Sequence, residues 1–286
     1  MKKILYALIM AMPFIFASCD NIDDDEKLVY PQGQTSQQTA ITDTSSIQRV
    51  LLEDYTGWKC VNCPRAAVVA SNLLNKYKDS LVVMAVHCGS FATPNVANGN
   101  VNFSTEYGEK WCKDFGITAF PAGVINRVKA SSSYYISDDL WESTIASQLT
   151  STKHLMDINL GVAYQSSDKK ILVSTQNVFL QDVSFPTLIN VVVVESGLVG
   201  VQANGNSTYG TTPLIKDYVF NHVLRKNGLV GYSLSSLAVS KGTKLNKNYL
   251  LSVDSDIKNI NNCKVIVFVT NANTKEVVQV NEVDIK

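Results

Sequence analysis

The chain has 286 residues, room for about two domains. Its 25 basic residues are matched by 25 acidic ones, and no basic patch stands out, which argues against nucleic acid as a partner.

The first residues read as an address. Lys2 and Lys3 form a charged n-region, and Ile4 to Phe16 is apolar but short for a bilayer span. The run ends in Phe16-Ala17-Ser18-Cys19, small residues directly before a cysteine, as in a lipobox. Cys19 is then the lipidation site and the first residue of the mature chain; the other reading is an ordinary signal peptide with an incidental cysteine. Without the leader, 23 basic residues face 25 acidic ones. No second long apolar run follows, so the mature protein is expected to be soluble and held to a membrane by lipid at one end. Export also implies an oxidising compartment in which disulfides persist.

Residues 20–46 read as a flexible tether: Asp23-Asp24-Asp25-Glu26, then Pro31-Gln32-Gly33 and a Thr/Ser/Gln-rich stretch, with too few large apolar residues to build a core. Residues 47–151 then alternate strands and helices. Val50-Leu51-Leu52 is a short apolar strand, and Ala66 to Tyr77 has helical apolar spacing. Leu81 to Val86 is a continuous apolar run, as expected of a central strand covered on both faces. Phe91 to Phe103 is Asn-rich and reads as a loop insertion. Thr105 to Phe115 is predicted helical and closed by Gly116. Ala122 to Ile125 is another strand, and Asp138 or Asp139 can cap a final helix carrying Leu140, Trp141, Ile145 and Leu149. This order argues for an α/β layer structure.

Residues 152–286 change pattern. Met156, Ile158, Leu160 and Val162 alternate along one strand. Further strands are predicted at Ile171–Val178, Leu188–Glu195, Lys216–Leu224, Tyr249–Val253, Lys264–Val269 and Glu276–Val280. Without a long helical period, this half reads as an antiparallel β-sandwich of about seven strands.

The chemistry centres on Cys60-Val61-Asn62-Cys63. A strand and a Gly57 turn feed two cysteines three apart, and a helix follows. Pro64 directly after Cys63 is tolerated only near a helix start, so the helix is predicted to begin within a residue or two of Cys63. A second marker is Gly116-Ile117-Thr118-Ala119-Phe120-Pro121, with a proline at the mouth of a strand that suits a bend or a cis bond.

On these residues the α/β part resembles thioredoxin over residues 47–151, which implies that fold. The resemblance puts Pro121 at the family's cis-proline position. It makes Asp54, six residues before Cys60, the carboxylate that lies under the disulfide and moves its protons. It departs from the family at Val61-Asn62, at Lys59 between Trp58 and Cys60, and at Pro64. The whole mature chain is similar to the twenty-eight-kilodalton outer-membrane lipoprotein family of Bacteroidetes. That resemblance rests on Asp54-Tyr55-Thr56-Gly57 with Cys60-x-x-Cys63-Pro64, on Val191 to Glu195, and on Tyr218 to Arg225. It implies a thioredoxin-like domain followed by an immunoglobulin-like β domain, an outer-membrane location and, from the acids after Cys19, export to the cell surface.

If the pair is active, Cys60 at the more exposed helix start is the expected nucleophile, with its thiolate favoured by the helix end. Cys63 resolves the mixed disulfide, Asp54 relays the proton, Pro121 presents backbone to an extended substrate, and Lys59 adds positive charge. Protein thiols or disulfides are then the partners, and no cofactor or metal is called for. The other reading makes Cys60–Cys63 a permanent structural clip. Cys88 and Cys112 can pair with each other, and Cys263 reads as a small buried hydrophobe. His87 beside Cys88 reads as strand packing, and His222 as a packed or edge histidine on a strand. Two functions follow: a cell-envelope thiol-disulfide oxidoreductase, or a surface lipoprotein that binds a protein or glycan on a thioredoxin-like scaffold.

Overall fold

A computed structural model describes residues 33–44 and 46–285, which cluster into one compact unit. The expected leader, Cys19 and residues 20–32 lie outside the described residues. The fold is mixed α/β and dominated by strands. The N-terminal half runs β1 (Val50–Thr56), α1 (Cys63–Tyr77), β2 (Leu81–His87), α2 (Gly89–Ala92), α3 (Glu106–Asp114), β3 (Ala122–Ile125) and α4 (Trp141–Ser151). The C-terminal half adds β4 (Met156–Gln165), β5 (Lys170–Phe179), β6 (Thr187–Glu195), β7 (Leu198–Ala203) and β8 (Leu214–Phe220). It ends with β9 (Val223–Ser235), β10 (Lys244–Ser252), β11 (Cys263–Asn271) and β12 (Val277–Asp284).

The two halves share one seven-stranded sheet, ordered β12-β11-β6-β9-β2-β1-β3. β1 and β2 are parallel, and β3 returns antiparallel along β1 with Tyr55 opposite Ala122. The joint between the halves is narrow: β2 meets β9 at Ala85 and Val223 alone, with the Ala85 N–H donating to the His222 carbonyl at 2.8 Å.

The sheet is apolar on both faces, and the period of two sorts its side chains cleanly. Leu51, Val82, Met84, Val86, Val192, Val194, Ile266 and Phe268 form one buried cluster with Trp111, Cys112 and Phe115 from α3 and the residues just after it. On the opposite face, Val50, Leu52, Leu81 and Val83 pack under α1 and α4 around the fully buried Trp141. Further along that face, Val191, Val193, Val265 and Val267 pack against Met156, Ile158, Val173 and Tyr249 of a second sheet, β10-β5-β4. The continuous apolar runs follow from this double coverage.

Several expectations change. The described part of the tether, residues 33–44, is pinned to the β half: Asp43 and Leu160 exchange backbone hydrogen bonds at 3.0 and 2.9 Å, and the Thr39 N–H donates to Ser174 Oγ at 2.9 Å. Gly161 permits this, because a Cβ there would lie 2.0 Å from the Ala40 carbonyl oxygen. The expected strand Lys216–Leu224 is broken by a turn at Asn221–His222, where His222 takes φ 56°. Its two parts enter different sheets, β8 beside β7 and β9 beside β6. His222 is therefore a turn residue, not a strand one. Asp138 does not cap α4; it holds Arg65 in a bidentate ion pair with both contacts at 2.8 Å.

Candidate functional site

The site forms where β1 ends. Gly57 turns so closely under the Phe91 carbonyl that a Cβ would lie 2.5 Å from the Phe91 carbonyl carbon. The turn closes as the Cys60 N–H donates to the Gly57 carbonyl at 3.0 Å. α1 starts at Cys63 with Pro64 in its first turn, where a missing N–H leaves no bond unmade. Cys60 and Cys63 are joined as a disulfide with Cα atoms 5.4 Å apart. The Phe120–Pro121 peptide is cis. The Tyr55–Ala122 register brings buried Pro121 to the same end of the sheet as the cysteines. Phe120 packs on Phe91 with ring centroids 5.1 Å apart.

Cys60 is not the more exposed residue of the two. It is 1% exposed and Cys63 is 4% exposed. The cause is the β7–β8 hairpin, whose residues 202–205 lie along the cysteine loop as an added strand would. The Ala203 N–H donates to the Trp58 carbonyl at 2.7 Å, and the Gly205 N–H to the Val61 carbonyl at 2.9 Å. Gln202 Nε2 donates to the Cys60 carbonyl at 2.8 Å and to the Ala203 carbonyl at 3.0 Å. Lys59 does not simply face the sulfurs; its ammonium sits 5.5 Å from the centroid of the Trp58 ring. Trp58 is itself buried, with Nε1 donating to the Thr93 carbonyl at 2.9 Å. The 91–103 insertion is thus part of the wall around the cysteine loop.

Beside the sulfurs, Asp54 and Cys63 line one cavity of about 110 Å³ between α1 and β8. His87, Gln202, Tyr218 and His222 are among its other polar lining residues. Asp54 is buried and Oδ1 has no hydrogen-bond partner. Burial, with Asp138 nearby, pushes its carboxyl up to about 7. An acid of that strength can give or take a proton near neutrality. His87 packs edge-on against Phe103 and Phe220, and burial with the neighbouring Arg225 charge lowers it to about 3, so it is neutral. Burial and the Asp54 charge raise Tyr218 to about 12.

Cys88 and Cys112 remain thiols. Their side chains interact, and contact with Cys112 together with burial pushes the Cys88 thiol up. Cys263 is a buried thiol donating to the Asn259 carbonyl at 3.4 Å. Among the described residues, no three His, Cys, Asp or Glu side chains are grouped to hold a metal ion.

Of the second-half motifs, Tyr218 to Arg225 reaches this site, and Val191 to Glu195 is joined to it by an ion pair. Glu195, at the end of β6, stands opposite Val223 and pairs with buried Arg225, Oε2 to Nε at 3.2 Å. Tyr218 to Phe220 of β8 and the turn residues Asn221 and His222 form one wall of the cavity. The sequence reading missed Gln202, which stands alone in a strand without a polar pattern around it.

A β-α-β unit with a disulfide at its helix start, continued by a β half in the same sheet, defines a disulfide-bearing mixed α/β protein. A family model for outer membrane protein Omp28 matches residues 109–286, and the chain belongs to that family. The outer membrane is accordingly its location. The matched segment holds both second-half motifs, and Cys60–Cys63 lies before it. No curated protein matches the chain. HBP35 of Porphyromonas gingivalis is similar in structure, with TM-score 0.56 and 16% identity, covering 84% of this chain and 76% of that one. A protein from Agrobacterium tumefaciens has TM-score 0.50 and 10% identity, covering 84% and 96%. A domain of the outer membrane lipoprotein Omp28 from Porphyromonas gingivalis is 20% identical, with TM-score 0.30, covering 46% and 88%.

Proposed function

We propose that this outer-membrane protein is a lipoprotein anchored through Cys19, with a thioredoxin-like domain over residues 47–151, an immunoglobulin-like β domain over 152–286, and a thiol-disulfide exchange centre at Cys60–Cys63. The parallel β1-α1-β2 unit, the antiparallel β3 and the cis Pro121 support the thioredoxin-like reading. The observation that carries the chemistry is Asp54: a buried carboxyl, its Oδ1 without a hydrogen-bond partner, in one cavity with Cys63. A permanent clip needs no proton acceptor beside it, whereas exchange must move a proton each time a sulfur becomes a thiolate. Protein disulfides, the expected substrates, would reach Cys60 only with residues 202–205 displaced. The test is turnover of insulin or glutathione disulfide by the mature chain, with Cys60→Ser as control. No turnover, with both thiols closed to alkylation after mild reduction, rejects the reading.

The cover over Cys60 favours a second reading, a surface lipoprotein that uses the α/β half as a scaffold for binding a protein or glycan. Protease shaving of intact cells tests its surface location, and complete protection of the chain would end it.

A further inference from the structure

The hairpin over Cys60 and the cavity beside Cys63 divide the disulfide into a sealed side and an open side. Cys63 lines the cavity and Cys60 does not. The strand position beside residues 58–61, where an extended polypeptide would add, is already filled by Ala203 and Gly205. The cavity, about 110 Å³, is smaller than the roughly 150 Å³ engineered cavity that takes up benzene. A space of that size suits a molecule of a few heavy atoms better than a polypeptide.

We propose that Cys63, not Cys60, is the sulfur that exchanges with solvent, and that its substrate is a small thiol, or the matching small disulfide in the reverse direction, admitted beside Asp54. The proposal rests on the disulfide being competent for exchange. In the forward direction a small thiol passes its proton to the Asp54 carboxylate, and its sulfur attacks Cys63 Sγ. The Cys60–Cys63 bond breaks, a mixed disulfide forms on Cys63, and the electron pair leaves on Cys60 as a thiolate, which takes up the proton. A second small thiol attacks the mixed disulfide at the small-molecule sulfur. This releases the small disulfide and leaves Cys63 as a thiol once a proton is returned. Two thiols are oxidised to one disulfide, and the protein disulfide is reduced to two thiols.

Two measurements on the full mature chain test this. The reduced wild type is labelled with limiting iodoacetamide or with a long polyethylene-glycol maleimide, and peptide mass spectrometry locates the label. Cys63 is expected to take iodoacetamide at least about tenfold faster than Cys60, with neither sulfur taking the long reagent. Ala67→Phe, on the α1 wall of the cavity, is expected to slow Cys63 and leave Cys60 unchanged. Cys60→Ser and Cys63→Ser are then incubated with the disulfide of 2-mercaptoethanol, and the adduct is expected on Cys63 of the first and not on Cys60 of the second. Faster reaction at Cys60 in either measurement overturns the order proposed here but leaves an exchange centre. No adduct on either variant, with iodoacetamide still reaching Cys63, overturns the exchange reading and this proposal together.

Discussion

The side-chain amide of Gln202 donates to the Cys60 carbonyl at 2.8 Å, tying a residue of β7 to a loop 142 residues earlier. The same nitrogen faces the Gly57 carbonyl at 3.4 Å, so one buried amide spans the whole cysteine turn. Gln202→Ala removes this latch and leaves the Ala203 and Gly205 backbone bonds in place. With each such bond contributing about 1 kcal/mol net, a loss of roughly 1–2 kcal/mol in chemical denaturation is expected. Alkylation of Cys60 after reduction should rise as the hairpin opens more often. Unchanged protection of Cys60 would mean that the backbone bonds alone hold the cover.

Asp54 gives a pH signature of definite sign. Its carboxyl rises from 3.8 in the unfolded chain to about 7 in the fold. The folded state thus binds a proton that the unfolded state releases between these values, and stability contributed by the neutral acid is lost as pH climbs through that window. Asp54→Asn should be more stable than wild type above pH 7 by up to about 4 kcal/mol, with the difference vanishing near pH 4. Asp138, Tyr218, His87 and Cys63 surround the group, and none changes identity in this variant. Urea melts of both proteins across the window check the sign. Small-thiol reduction of the disulfide should also lose its step near neutrality in the variant, which a purely structural Asp54 would not cause.

His87 titrates the other way. Burial holds it near 3, so below its unfolded value of 6.5 the unfolded chain takes up a proton that the folded one refuses. Its contribution is complete above 6.5 and drains as pH falls toward 3. His87→Phe, which retains the ring contacts with Phe103 and Phe220, should flatten the acid limb of the stability profile. An acid limb identical to wild type would rule out His87 as its source.

Much of this architecture was legible because local rules and tertiary burial agree in the N-terminal half. β1 opens apolar at Val50-Leu51-Leu52, β2 is apolar without a break from Leu81 to Val86, and Pro64 marks the helix start whatever packs on it. Cys60, Cys63, Asp54 and Pro121 carry chemistry in their identity and spacing. What could not be read was non-local. Gln202 has meaning only once β7 lies over the cysteine loop. His222 alternates with Tyr218 and Phe220 as a strand residue would, yet its φ of 56° breaks the strand so that β9 can reach β2. The polar 33–44 segment looks like a spacer because its partners, on β4, β5 and β10, lie more than a hundred residues away.

Glu53 and Arg127 form a bidentate pair, with Nε to Oε2 and Nη2 to Oε1 both at 2.8 Å, inside the core. Arg127 also lies 4.5 Å from the Trp111 ring centroid and 4.8 Å from that of Phe268. Glu53→Gln strands a cation that cannot give up its proton, and a loss of about 3–5 kcal/mol is expected. Replacing both partners by apolar residues of similar volume should recover most of that loss, since the pair's own desolvation cost disappears with it. Thermal melts of the single and double variants decide whether the pair is stabilising in itself or only costly to break.

Gly161 tests whether the 33–44 segment is held as described. A side chain at 161 would collide with the Ala40 backbone, whose carbonyl oxygen would lie 2.0 Å from its Cβ. Gly161→Val suits β4 on propensity grounds, so the strand itself should survive. The expected result is release of the segment: limited proteolysis cuts within 33–44 in the variant and not in the wild type, while the remainder stays intact. Since Cys19, the proposed lipid site, precedes this segment, its release would also lengthen the reach between such an anchor and the fold. Equal resistance of the two proteins would show that β4 shifts to accommodate valine and that the segment's hold does not depend on glycine.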